Sequence, residues 1–170
     1  MAHATRSIAI SGAWGYIGRK LLDAAVARHM KVYVFDPGPM PEDVTSRHVE
    51  RIEDETAFYR LKADVFHLAL HPEARAIGLN VLLKRCAAEQ IVLLIEKPLT
   101  LPETPNECQP LVDAAARSAA MVFYDFPELF DPLTKIIWDY LEKLPDVEIN
   151  EVYLQRSKDR EDPARAPPHR

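Results

Sequence analysis

The chain is poor in the residues that announce most kinds of site. Its two cysteines, Cys86 and Cys108, are too few and too far apart for a redox motif or a zinc site, and they form no disulfide framework. A reducing, cytoplasmic setting is therefore the simplest expectation. No basic stripe is present and the formal net charge is -5, which argues against a nucleic-acid partner, because nothing would neutralise phosphates and release their counterions. Long apolar runs are missing as well. The start, Met-Ala-His-Ala-Thr-Arg, has no apolar signal core, and the longest clean apolar run, Ile91 to Ile95, is far too short to span a bilayer. A soluble protein with no membrane partner is expected. Glycine is scarce, and its placement is informative: of five in the chain, three fall at Gly12, Gly15 and Gly18.

That run, Ile10-Ser11-Gly12-Ala13-Trp14-Gly15-Tyr16-Ile17-Gly18, follows a short apolar segment, Ser7 to Ser11. It precedes one in which Ile17, Leu21, Leu22, Ala25 and Val26 recur at helical spacing through about His29. A strand that ends in a tight glycine turn and feeds a helix aims backbone N–H groups and the positive end of the helix dipole at one point, where a pyrophosphate fits. The spacing G-x-x-G-x-x-G is a variant of the G-x-G-x-x-G fingerprint, and makes Gly12, Ala13, Trp14, Gly15, Tyr16 and Ile17 candidate cofactor contacts. Trp14 either covers the pyrophosphate or packs over the first helix.

A second strand, Lys31 to Phe35, ends at Asp36, roughly 20 residues past the turn, where this fold places the acid that binds the adenosine ribose. A carboxylate accepts hydrogen bonds from the 2′- and 3′-hydroxyls and repels a 2′-phosphate, so Asp36 favours NAD over NADP. The rival role for Asp36 is opening the turn Asp36-Pro37-Gly38-Pro39.

At 170 residues one α/β domain is the natural count. A third strand is expected near 48–52, a short helix over 53–63 packing Phe58 and Leu61, and a fourth strand from Val65 to Leu70, closed by His71-Pro72. The next helix, Glu73 to Glu89, carries Ile77, Val81, Leu82, Arg85 and Ala88 on its apolar side, and Ile91 to Ile95 reads as a strand covered on both faces. Beyond lie a helix over 105–120, a strand from Met121 to Phe126, a helix over 132–144 with Ile136, Ile137, Tyr140 and Leu141 inward, and β-character from Val147 to Gln155. Strands alternating with helices predict a doubly wound parallel sheet, with right-handed crossovers that bring Gly12, Asp36, His71 and Glu96 to one edge. Ligands bind at that edge.

At Glu96-Lys97-Pro98 a strand stops with two charges and a proline, which removes a donor and restricts the residue before it. Lys97 is a candidate proton handler there. A glycine turn, an Asp after strand two, a His-Pro loop after strand four and Glu-Lys-Pro after strand five together resemble the glucose-fructose oxidoreductase, inositol dehydrogenase and rhizopine-catabolism (Gfo/Idh/MocA) family, over residues 5 to 155. The resemblance implies a Rossmann nucleotide-binding domain over 1–145 and hydride transfer between a nicotinamide cofactor and a hydroxyl or carbonyl carbon of a sugar, cyclitol or similar small molecule. It makes Lys97 the catalytic lysine, puts Glu96 at the nicotinamide end and lets Leu70 and His71 border the nicotinamide ribose. This chain lacks the family's usual histidine near Gly78 and Leu79, and Gln90 replaces a glycine.

The family's second domain, an open antiparallel sheet that supplies a relay aspartate and histidine, is expected to begin at 146–170 and to be largely missing. Two other classes remain: a nicotinamide-sensing or regulatory subunit without turnover, and an extended short-chain dehydrogenase or epimerase. The latter needs Tyr-x-x-x-Lys, which occurs only at Tyr16 and Lys20 beside the turn. Plainer roles stand beside the sharper ones: Glu-Lys-Pro as a solvated strand end, His71 as a turn residue and Asp125 as a solvated cap next to Tyr124. Self-association through Phe126, Leu129 and Phe130 is an expectation should the substrate domain be missing.

Overall fold

The structure is a computed structural model, and it describes residues 6–86, 90–101, 103–125 and 132–143. Two units are distinguished, Met1–Pro127 and Glu128–Arg170. In the first, six strands, β1 (Ser7–Ser11), β2 (Lys31–Phe35), β3 (Val49–Arg51), β4 (Val65–Leu68), β5 (Val92–Ile95) and β6 (Met121–Tyr124), form one sheet in the order β3-β2-β1-β4-β5-β6. Every pairing is parallel. The strands alternate with helices α1 (Tyr16–Ala27), α2 (Glu55–Tyr59), α3 (Pro72–Arg85) and α4 (Cys108–Arg117), the last preceded by a single 3-10 turn at Pro105–Glu107. This is the expected doubly wound α/β sheet.

Side-chain alternation along the strands divides the core in two. Ile8 and Ile10 of β1 join Val32 and Val34 of β2 and Leu22 and Ala25 of α1 on one face. Ala9, Phe66, Leu68, Leu93 and Ile95 point to the other, where they meet Phe58, Leu79, Leu82 and Leu83 of α2 and α3. Phe58 is the aromatic centre of that side, with its ring 5.8 Å from both Phe35 and Phe66. The central strands carry no solvated face, which is why they read as near-continuous apolar runs.

Three expectations are corrected. The buried side of α3 is Arg75, Gly78, Leu79, Leu82 and Leu83, whereas Ile77 and Val81 are 65% and 43% exposed. The helix turns its leucines to the sheet and leaves its β-branched residues outside; Ala88 lies outside the described residues. Helix α2 is five residues long and closes at Arg60, with Arg85 donating to the carbonyls of Tyr59 and Leu61 at 2.8 and 2.7 Å. In the second unit, helix α5 (Pro132–Leu141) exposes Ile136, Ile137, Tyr140 and Leu141 rather than turning them inward. No other element of its own unit lies among the described residues to cover them. The segments 126–131 and 144–170, with Phe126, Leu129, Phe130 and the expected strand from Val147 to Gln155, lie outside the described residues. No helix among those described is long and apolar enough to cross a membrane.

Helices α2 and α3 approach closely at Gly78, where an added Cβ would lie 2.3 Å from Tyr59 Oη. That hydroxyl is buried, and burial, then the charge and hydrogen bonding of Glu55, push its pKa up. Gly78→Ala should therefore destabilise the chain by about 1–3 kcal/mol through overpacking. Tyr59→Phe removes the atom that the added methyl would strike and should recover most of the loss in the double variant. Urea unfolding of the four proteins measures the coupling; equal losses with Tyr and with Phe at position 59 would refute the contact.

Candidate nucleotide-binding edge

The sheet order reverses between β1 and β4, and the crevice above their carboxyl ends is the topological switch point. Gly12 sits at its floor with φ 73°, its N–H donating to Phe35 O at 2.9 Å. A Cβ there would lie 2.8 Å from the Ala69 carbonyl oxygen. Gly18, in the first turn of α1, is more constrained, because its added Cβ would stand 2.1 Å from Gly12 O. These two glycines let the helix start directly against the strand end. Gly15 caps α1 without a side-chain hydrogen bond, and the first turn carries no acidic residue. An added Cβ at Gly15 would meet only Gly12 O, at 3.4 Å. An uncapped helix start above an open backbone fits a pyrophosphate.

Asp36 is tied to the same loop. One carboxylate oxygen accepts from the Trp14 N–H at 3.0 Å and the other from the Gly38 N–H at 2.9 Å. The residue thus opens its turn and also anchors the glycine loop. Each oxygen retains a lone pair for a further donor. The Trp14 indole donates to Gly38 O at 3.3 Å and packs against the core cluster on the α1 face. Ala13 is fully buried, while Tyr16 and Ile17 are 62% and 38% exposed, and Lys20 donates to Tyr16 Oη at 2.7 Å.

On the far side of the crevice, Leu70 and His71 lead from β4 into α3. His71 is the exposed N-cap residue, with Pro72 in the first turn and Arg75 N–H donating to His71 O at 2.9 Å. Lys97 is exposed just past β5, and the Lys97–Pro98 peptide is cis.

Strand parity puts His67, Glu96 and Asp125 on the sheet face that carries α1, since His67 pairs with Leu94 and Asp125 N–H donates to Ile95 O. His67 Nε2 lies 3.0 Å from Glu96 Oε1, with the two side chains 1% and 8% exposed. The Nε2–H tautomer, donating to the carboxylate, is assigned from this geometry, because Nδ1 is buried without a partner. Burial opposes the charge on Glu96, but hydrogen bonds to His67 and Asp125 and the charge of Arg75 outweigh it, holding the carboxyl below the usual glutamate range. Burial, then the hydrogen bond and charge of Glu96, push Asp125 up.

Sequence reasoning placed Gly12, Asp36, Leu70, His71, Glu96 and Lys97 along one edge, and the structure has them at the carboxyl ends of the parallel strands. It missed His67 and Arg75, both buried. A polar residue inside the apolar run Val65 to Leu70, and an arginine at helical spacing with Leu79 and Leu82, were the available signals.

The first unit is a Rossmann domain, the dinucleotide-binding class of fold. No protein-family profile matches the sequence, and no curated protein does. Solved structures do match. The WlbA (WbpB) dehydrogenase of Thermus thermophilus, in complex with NAD and α-ketoglutarate, is 20% identical with a TM-score of 0.64, over 82% of this chain and 47% of that one. The Chromobacterium violaceum WlbA dehydrogenase, in complex with NADH and UDP-GlcNAcA, is 15% identical with a TM-score of 0.66, over 84% and 41%. A Synechocystis biliverdin reductase, in complex with biliverdin and NADP+, is 16% identical with a TM-score of 0.60, over 81% and 43%. The likeness is one of fold, and the chain spans less than half the length of each.

The carboxyl pair makes a titration test. Because the pKa of Glu96 is depressed in the folded state, its charge contributes stability that is present above the unfolded value and lost as pH falls through the folded one. Asp125, raised, has the opposite sign and costs stability as pH rises through its folded value. In Glu96→Gln the acid-side stability slope should flatten, and the Asp125 midpoint, followed by carboxyl 13C NMR, should move to lower pH. An unmoved Asp125 would disconnect the two groups.

Proposed function

We propose that the chain is the nucleotide-binding part of an NAD-dependent oxidoreductase of the Gfo/Idh/MocA type, acting on a hydroxyl or carbonyl carbon of a sugar, cyclitol or similar small molecule. The observation that carries this is the uncapped start of α1 at the switch point, with a lysine exposed past β5 on the same edge. The fold shared with proteins crystallised with NAD, NADH or NADP+ supports the ligand class.

NAD, when bound, supplies the hydride acceptor. The chain's own residues supply position and proton handling. The glycine turn holds the pyrophosphate by backbone N–H groups, and Asp36, already oriented by Trp14 and Gly38, accepts from the ribose hydroxyls. Leu70 and His71 border the nicotinamide ribose. Lys97 hydrogen-bonds the reacting hydroxyl and relays its proton, which requires donor and acceptor within hydrogen-bond reach. Glu96 turns its carboxylate into the protein toward His67, so its contribution is to fix the turn that carries Lys97. Residues 146–170 begin a substrate domain in this scheme, and turnover depends on contacts from that domain.

Calorimetric titration with NAD and NADP tests the reading. NAD should bind, Asp36→Ala should weaken it about tenfold or more through loss of hydrogen bonds to a charged acceptor, and Lys97→Ala should change it less than about threefold, since the lysine serves chemistry rather than nucleotide affinity. Asp36→Asn should narrow the preference for NAD over NADP. A folded chain that binds neither nucleotide would leave the glycine turn a structural feature only.

A further inference from the structure

Arg75 is the least expected side chain near the edge. It projects from the first turns of α3 on the sheet face opposite His67 and is 4% exposed. Its guanidinium makes no hydrogen bond to a carboxylate among those described; instead it takes backbone carbonyls from two separate loops. One terminal nitrogen donates to Glu96 O at 2.8 Å and to Pro98 O, and the other donates to Leu70 O. The first two acceptors bracket Lys97, and the third precedes His71. Burial lowers the pKa of the guanidinium, with the charge of Glu96 acting against that; an arginine remains charged regardless. A buried cation is retained only where its hydrogen bonds and counter-charge offset the desolvation, and here the three hydrogen bonds and the Glu96 counter-charge all lie at these two loops.

We propose that Arg75 is the positioning residue of the nicotinamide half of the site, clamping the Leu70–His71 loop to the Lys97 turn so that both face the ligand in fixed register. The inference rests on the nucleotide-binding reading above and goes beyond it by dividing the site energetically. The adenosine half is organised by Asp36, Trp14 and Gly38, none of which Arg75 contacts through a described hydrogen bond. The nicotinamide half is organised by a planar fork, for which neither a lysine ammonium nor a glutamine amide can substitute across three carbonyls.

The test titrates wild type, Arg75→Lys and Arg75→Gln with two probes: ADP, which lacks the nicotinamide half, and NADH. The expected result is NADH affinity lowered about tenfold or more while ADP affinity stays within about twofold. Equal loss for both probes assigns Arg75 a general structural role and overturns the inference; so does no loss for either. Wild type that binds neither probe refutes the nucleotide reading and this inference with it, whereas wild type that binds both, with variants indistinguishable from it, refutes this inference alone. Should neither variant fold, 15N NMR of wild type decides. Guanidinium protons of Arg75 protected from exchange relative to those of exposed Arg47 support the clamp, and equally fast exchange overturns it.

Discussion

Everything at the candidate site depends on how closely two stretches of backbone approach at Gly12. The turn after β1 must pass between the ends of β2 and β4 while its carbonyl receives the start of α1, and the separations leave no room for a Cβ on Gly12 or Gly18. With the helix seated this close to the strand end, its first-turn N–H groups are directed over the crevice rather than outward to solvent. A bulkier turn would move the positive helix end away from the switch point and separate it from Asp36. The scarcity of glycine elsewhere is consistent with this, since the chain places most of its conformational freedom where the geometry demands it.

The opposite wall of the crevice is held by polar burial rather than by close backbone approach. Two loops and three strand ends converge there, and their free carbonyls and carboxyls would be costly to bury unpaired. Glu96 is paired with His67 and coupled to Asp125 on the α1 face of the sheet, and Arg75 takes the carbonyls from the other face. The crevice thus has a wall of backbone contact on one side and a wall of charge and hydrogen bonds on the other. The second wall is expected to respond to acid through Glu96 and Asp125, whose carboxyl pKa values are shifted in opposite directions.

The sheet was legible because buried parallel strands leave a simple trace: β1 and β2 have the expected bounds, and β4, β5 and β6 differ from expectation by a residue or two at their ends. Crossover handedness then brought the motifs to one edge without any contact information. The faces of α3 and α5 were misjudged for different reasons. In α3, Ile77 and Val81 compete with a leucine stripe one step round the helix, and periodicity alone does not say which stripe meets the sheet. In α5 an amphipathic pattern is present, but a pattern does not name the surface that covers it. Arg75 and His67 escaped notice because charge and polarity in a sequence are ordinarily read as solvated, and the reading is reversed by partners far away in sequence, such as Glu96 and Pro98. Asp36 was seen, and both roles weighed for it concern the loop after β2; its bond to Trp14 N–H joins that loop to the turn before α1.

The two margins of the sheet are unlike in character. Strand β3 closes one side with three residues, two of them charged, Glu50 and Arg51. Strand β6 closes the other with Met121, Phe123 and Tyr124 at 47%, 51% and 40% exposure. An outermost strand presents backbone donors and acceptors along its open side, and charge and brevity are the usual means of discouraging a stranger from pairing with them. By that measure the β3 margin repels intermolecular pairing and the β6 margin does not. Among the described residues, the guard against strand pairing is thus built into one margin of the sheet and not the other, and the four residues of β6 carry the less protected edge.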